Sequence, residues 1–280
     1  MKESIKRILV PVDPSAHTKG ATETACRIAR KHEARVAGVA VLDSPEIRSS
    51  LIPAVGPYYP LMVDAVQDKL DHADKLLHEC LEQFSRTCEE YQVNHFETEY
   101  EGMPAQKLLQ SAIFFDLVVM GLETSFHFET RGGKGETLDK LLNQTSTPVL
   151  AVPLSGMQEP ENVLVAFDGS IGSSRALRDF TGFAKPFQPK VTVVVSGMAQ
   201  AKLDFLAEGA VEYLEAHDFS GVASVKSEKP IEAVLDEDMG SDFDLIVAGI
   251  HSRHVVKDMF IGSFATTLIR RGTTPLFFSH

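Results

Sequence analysis

The residues best placed to do chemistry lie near the C-terminal end of the chain. An apolar run beginning at Asp244 ends in Gly249; a stretch carrying His251, Ser252, Arg253 and His254 follows, and then Gly262 and Ser263. A helix is expected from Ser263 to about Arg271. Gly249 allows a tight turn at a strand end, and Gly262 lets a ligand approach the backbone closely. The first turn of the helix offers unpaired N–H groups and a partial positive charge, to which Ser263 adds a hydroxyl. That is the chemistry of a phosphate cradle. Asp168, followed by Gly169 and Ser170, closes an earlier apolar run. A carboxylate there would position an adenine or ribose group by accepting its hydrogens, and His251 could line the same pocket. The spacing equally fits a plainer arrangement: a glycine turn, a serine N-cap, and an aspartate capping the next helix.

These residues are positioned by elements that occur twice. Ile8-Leu9-Val10-Pro11-Val12-Asp13-Pro14-Ser15 returns as Val163-Leu164-Val165-Ala166-Phe167-Asp168-Gly169-Ser170. Asp116 to Gly121 returns as Asp244 to Gly249, and Thr147 to Val152 returns as Thr274 to Ser279. The order is kept, so the chain reads as a duplication. The first copy is longer, and the added length lies between its first strand and Asp116, part of it in the stretch Pro53 to Pro60. The expected domains are 1–154 and 160–280, joined by a short segment containing Gly156 and Pro160. Each repeated block is a continuous run rich in Val, Ile and Leu, which suits strands buried on both faces of a parallel sheet. Helical patterns cover 18–32, 63–91, 172–185 and 199–217. In 63–91, Val63, Val66, Leu70, Ala73, Leu77, Cys80, Phe84 and Cys88 recur every three or four residues and form one apolar stripe, with both cysteines as core residues. Strands alternating with helices give βαβ units with right-handed crossovers. Each half is then an α/β, doubly wound, Rossmann-like sheet with ligands expected at the carboxyl ends of its strands.

On these motifs the whole chain resembles a tandem universal stress protein. That family carries an I-L-V-x-x-D-x-S first strand and a fourth-strand signature of Gly, two residues, Gly, nine residues and Gly-Ser or Gly-Thr, which cradles ATP phosphates. The resemblance implies two five-stranded sheets, each of strand order 3-2-1-4-5. In the second half Asp168, Gly249, Gly262, Ser263 and Pro275 match, and Ser252 stands at the family's second Gly. It implies that Asp168 and the second-strand backbone near Val195 hold adenine, with Gly249, Gly262 and Ser263 on the phosphates. The first half departs further: Asp13 and Gly121 match, Thr124 replaces the second Gly, the loop is one residue longer before Gly135, and Glu136 replaces the Ser, with Thr137 next. A carboxylate at that helix start would repel a phosphate about 4 Å away by about 4 kcal/mol at an effective dielectric of about 20. That is roughly a thousandfold in affinity, so the first half is expected to be structural or to take another ligand. The resemblance also implies pairing through the last strands, either Pro148–Val152 with Pro275–Ser279 inside one chain as a pseudo-dimer, or between chains as a homodimer.

The chain has 280 residues, with 27 Lys plus Arg against 39 Asp plus Glu and a formal charge of −12. A surface that acidic repels nucleic acid. No apolar run reaches the roughly 18 residues of a membrane span, and the N-terminus has no signal-peptide core. Cys26, Cys80 and Cys88 form no paired framework, which suits a reducing, cytoplasmic setting. Gly132-Gly133-Lys134-Gly135 fails the phosphate-loop pattern, because Phe128 stands at its start and Gly follows the Lys. His251 and His254 lack a third ligand, so no metal site is expected. Phe126, His127 and Phe128 form an aromatic patch for a ligand, a partner or the sheet. No Cys–His pair or G-x-S-x-G elbow appears, and Ser263 has no base, so no catalytic residue is assigned. The leading expectation is a stress-response protein that binds ATP or AMP, with Mg²⁺ where a triphosphate is bound. It would act by switching, with slow hydrolysis at most and a protein partner that the residues do not identify. The alternative is a nucleotide-free interaction or dimerisation scaffold of the same family. A nucleotidyl transferase or ATP pyrophosphatase would need H-I-G-H or S-G-G-x-D-S, and neither is present.

Overall fold

The Val-, Ile- and Leu-rich blocks form the central strands, because runs apolar on both faces are stable only where helices cover both sides of a sheet. The computed structural model describes residues 5–49, 59–124, 126, 136–237, 243–250 and 263–279, with the backbone alone at 59–62, 136 and 263. The first half runs β1 (Arg7–Val12), α1 (His17–His32), β2 (Arg35–Leu42), α2 (Ser44–Ser49), α3 (Tyr59–Glu90), β3 (His95–Glu101), α4 (Pro104–Ala112), β4 (Leu117–Gly121), α5 (Glu136–Gln144) and β5 (Val149–Val152). The second runs β6 (Asn162–Ala166), α6 (Ile171–Ala184), β7 (Lys190–Ser196), α7 (Gln200–Glu215), β8 (Val222–Ser227), α8 (Ile231–Glu237), β9 (Leu245–Gly249), α9 (Ser263–Arg271) and β10 (Leu276–Ser279).

Each half has the expected order, 3-2-1-4-5, with every internal neighbour parallel. The halves are not separate sheets, however. β5 pairs antiparallel with β10, placing Leu276 opposite Ala151, Phe277 opposite Leu150 and Phe278 opposite Val149, so one ten-stranded sheet of order β3-β2-β1-β4-β5-β10-β9-β6-β7-β8 crosses the molecule. An apolar strand edge left open is a template for aggregation; here each half covers the other's. Because the joint is antiparallel, the carboxyl ends of the two sets of strands face opposite ends of the molecule.

Helices outside the sheet bind the halves further. Arg27 donates from Nη1 to the Met157 carbonyl at 3.1 Å, and Thr24 Oγ1 accepts from Met157 N at 2.8 Å while donating to Gly20 O at 2.7 Å. At Gly156, whose φ is +69°, an added Cβ would lie 2.7 Å from Gly20 O, so this connection seats directly on α1. His32, near the end of α1, accepts from Ile5 N at 3.3 Å through Nδ1. Its Nε2 lies 2.9 Å from the carbonyl of Phe183 in α6.

The longer first copy is explained by α2 and by α3, which has 32 residues against 16 in α7. At 1.5 Å per residue α3 is about 48 Å long, roughly twice the length of the strands it crosses. Its expected stripe is buried at Ala73, Leu77, Phe84 and Cys88, whereas Val63 is 49% exposed. The early turns run past the carboxyl ends of the strands and have no sheet to cover.

Candidate functional site

In the second half the order of strands reverses around β6, which lies between β9 and β7. The crossovers from β6 and from β9 leave on opposite faces and open a crevice at the carboxyl ends of these strands. Asp168, Gly169 and Ser170 follow β6, Gly249 ends β9, and α9 starts at Ser263 on the same side, since it runs back before β10. Residues far apart in the sequence therefore meet at one mouth. His251, Ser252, Arg253, His254 and Gly262, and the side chain of Ser263, lie outside the described residues.

The local chemistry of Asp168 is specific. Its Oδ1 accepts from Ser170 N at 2.9 Å and from Ser173 Oγ at 2.7 Å, and Ser170 Oγ in turn caps α6 by accepting from Ser173 N at 3.2 Å. Gly169 makes the turn with φ +69°, a conformation that costs glycine nothing. The first half repeats the arrangement: Asp13 Oδ1 accepts from Ser15 Oγ at 2.8 Å and from the Thr18 hydroxyl. The hydroxyl five places after each aspartate, Thr18 and Ser173, was readable in the repeat but lay beyond the matched blocks. Neither aspartate is itself the helix cap: Ser170 caps α6, and the cap position of α1 is Ala16, without a side-chain bond.

Gly249 is explained by packing rather than by a turn. A Cβ on it would stand 2.5 Å from Gly172 C and 2.5 Å from Ser173 N, so the start of α6 rests on the strand end. Gly121 meets α1 in the same way, with His17 standing where the second half has Gly172. The His17 imidazole has Nε2 3.8 Å from Glu123 Oε2, and its Nδ1 is buried without a hydrogen bond. Thr124, at the position of the family's second glycine, closes the turn after β4: its N and Oγ1 donate to Gly121 O at 3.2 and 3.0 Å. At the first-half crevice the His17 side chain therefore stands where the second half has Gly172. Phe126, from the aromatic patch, is buried, while His127 and Phe128 lie outside the described residues. α5 starts at Glu136 as expected and Thr137 in its first turn is half-buried; Gly135 lies outside the described residues.

The expectation near Val195 turns on which peptides of β7 face the crevice. Backbone groups along a strand point alternately to its two neighbours, and Lys190 N bonds to Glu161 O before β6 while Val191 N bonds to Gly221 O before β8. Odd-numbered residues of β7 therefore face β8, and Gly197 N, bonded to Ser227 O, continues the pattern. The Val195 peptide belongs to the β8 ladder, and the peptide facing the crevice at this level is that of Ser196. An unbroken apolar run from Val193 to Val195 carries no alternation from which this phase could be read.

The cysteines are thiols. Cys26 and Cys88 are buried with sulfurs 3.6 Å apart, and the hydrogen bond between them, together with burial, pushes the Cys88 thiol up. Burial foremost, helped by the negative charge of Asp13, pushes half-buried Cys80 up to about 11. Among the described residues no three His, Cys, Asp or Glu side chains are placed to hold a metal ion. No described helix is long and apolar enough to cross a membrane.

The family model described as the universal stress protein family matches residues 4–153 and again 160–279. The chain belongs to the universal stress protein family. It holds two of the family's domains in tandem. A curated universal stress protein of Synechocystis sp. is 21% identical over 164 residues, a match that covers 58% of this chain and 57% of that protein's length. Among solved structures, a universal stress protein from Archaeoglobus fulgidus aligns over 98% of this chain and 97% of its own, with a TM-score of 0.71 at 17% identity. A protein of unknown function from Pseudomonas aeruginosa PAO1 aligns over 98% and 92%, with a TM-score of 0.57 at 14% identity. At these identities the two structures establish the shared fold of this universal stress protein.

Proposed function

We propose that this universal stress protein binds an adenine nucleotide, ATP or AMP, chiefly in its second half, and acts in the stress response by binding and switching rather than turnover. The observation that carries this reading is the crevice beside β6. Asp168 to Ser170, Gly249 and the start of α9 converge there, and α9 is a nine-residue helix whose N-terminus favours anions. In this reading Asp168, Gly169, Ser170 and the Ser196 peptide hold the nucleoside. Gly249, Ser252, Gly262 and Ser263 hold phosphates and His251 lines the pocket, with Mg²⁺ accompanying a triphosphate. No general base is assigned, so hydrolysis is slow at most. Asp13, Gly121, Gly135 and Thr137 are the first-half counterparts, weakened by His17, Thr124 and Glu136. The reading includes a cytoplasmic setting, consistent with three free thiols.

Mass spectrometry of ligands released from freshly purified protein, followed by ATP titration of wild type and Gly262→Glu, tests this. One adenine nucleotide per chain, lost in the variant, is the expected result; no nucleotide and no binding at about millimolar ATP would overturn it. One observation favours the second reading, a nucleotide-free scaffold. Gly249 and Asp168 already have structural employment, in seating α6 and ordering its first turn. The same titration separates the two.

A further inference from the structure

We propose that the groove between β3 and α4 in the first half is a second ligand site, which takes a small planar aromatic carboxylate. The groove is about 260 Å³ and lies on the sheet face away from α3. Phe96, Tyr100, Phe114 and Phe115 supply ring surface to it, and Arg7 and Lys107 supply charge. Its aromatic walls are not sealed in the core: Tyr100 is 37% exposed and Phe114 66%. The Arg7 guanidinium stands 4.6 Å from the Phe115 ring centre, Lys107 Nζ 5.8 Å from that of Tyr100, and the neighbouring Arg35 guanidinium 4.4 Å from that of Phe96. Among the described residues none of these three cations has a carboxylate oxygen within 4.0 Å. The adjacent Asp116 accepts instead from the backbone N–H groups of Lys6 and Arg7, through Oδ2. In a chain with 39 acidic residues against 27 basic ones, two cations lining one groove and a third stacked on its Phe96 wall, none with a carboxylate partner, run against the composition.

The fold does not require this set. Arg7 pairs with Arg35, Ala37 with Phe96 and Val41 with Tyr100. In the second half the same register positions pair Asn162 with Lys190, Thr192 with Ala223 and Ser196 with Ser227. The second half builds the same sheet with Asn162, Ala223 and Ser227 in place of Arg7, Phe96 and Tyr100. What the first half adds is therefore a property of the groove. Ring faces stack on planar ligands, and a guanidinium takes a carboxylate through two parallel hydrogen bonds. A volume below the roughly 300 Å³ of most ligand pockets limits the occupant to one or two rings.

The test is a fluorescence titration with 2-naphthoate, alongside the uncharged analogue 2-naphthalenemethanol, on the full-length protein. Saturable binding of one 2-naphthoate per chain is expected, with the alcohol at least about fivefold weaker. Arg7→Gln and Lys107→Gln should each weaken 2-naphthoate about fivefold, and Tyr100→Ala about tenfold. Lys202→Gln, the same charge change on exposed α7, should leave it unchanged, and unaltered thermal melting verifies folding. Equal affinity for the alcohol, equal affinity in the groove variants, or no saturable binding up to about 10 mM would each overturn the proposal. Neither result bears on the nucleotide crevice, which Gly262→Glu probes separately.

Discussion

Acidification should loosen the seam between the two halves at His32. This imidazole is 3% exposed, and burial is the main reason its pKa lies below 6.5; the nearby Lys6 charge adds to the effect, while the Phe183 carbonyl opposes it. With Nδ1 accepting from Ile5 N, the neutral ring carries its proton on Nε2 and donates it to the Phe183 carbonyl. A second proton would have to sit on Nδ1, against the Ile5 N–H. The unfolded chain, whose histidines titrate near 6.5, binds that proton when the folded one does not, so stability falls as pH drops below about 6.5 and stops falling only below the folded value. The slope is at most about 1.4 kcal/mol per pH unit, and the loss between about pH 7.5 and about pH 5.5 is at most about 1.4 kcal/mol. His32→Leu removes the titration and strands a buried N–H and a buried carbonyl, at about 1–3 kcal/mol each. Urea unfolding of both proteins at both pH values reads this directly. The wild type should be more stable by about 3 kcal/mol at the higher pH, and the gap should narrow at the lower, by no more than about 1.4 kcal/mol. A gap that stays constant with pH would refute the assignment of a neutral, doubly hydrogen-bonded His32.

Gly249→Ala drives a Cβ to 2.5 Å from the backbone of Gly172 and Ser173, and overpacking of this kind should cost about 1–3 kcal/mol by urea midpoint. Thr24→Val leaves Met157 N without its 2.8 Å partner and should cost about 1–3 kcal/mol in the same assay. In native protein at about pH 8 none of the three thiols should react with a thiol reagent within minutes, since Cys80 and Cys88 are held in the unreactive thiol form and Cys26 is buried out of reach; all three are expected to react once urea unfolds the chain. Glu136→Ser removes a negative charge from the first turn of α5. It should raise first-half ATP affinity by up to about a thousandfold, detected as a second equivalent by calorimetry. An unchanged stoichiometry would assign the closure of that crevice to His17 and Thr124 instead.

The repeat made the central strands legible because a strand buried on both faces must be apolar throughout, as Leu117–Gly121 and Leu245–Gly249 are. The outer strands β3 and β8 were not read. His95–Glu101 and Val222–Ser227 lie at sheet edges, and the half-exposed positions in them accept Glu, Thr, Lys and Ser. The crevice was legible as two distant glycine- and serine-bearing segments, but what their glycines do was not. The close approach of Gly172 to Gly249 depends on how α6 lies across β9, and nothing in either segment encodes it. The phase of β7 was not legible for the opposite reason: too uniform a run leaves the direction of each peptide undefined.

The antiparallel joint of β5 with β10 also bears on how the assembly can vary. Two separate domains meeting along such strands would dissociate on dilution, whereas the short connection from Val152 to Asn162 holds them at an effective concentration of about millimolar. The pairing is thereby made independent of how much protein is present. A symmetric dimer of identical chains must also carry every substitution twice, once on each side of its axis. In this chain each substitution occurs once, so His17 can stand against Gly121 while Gly172 stands against Gly249, and Phe96 and Tyr100 can line one edge groove while Ala223 and Ser227 occupy the counterpart positions.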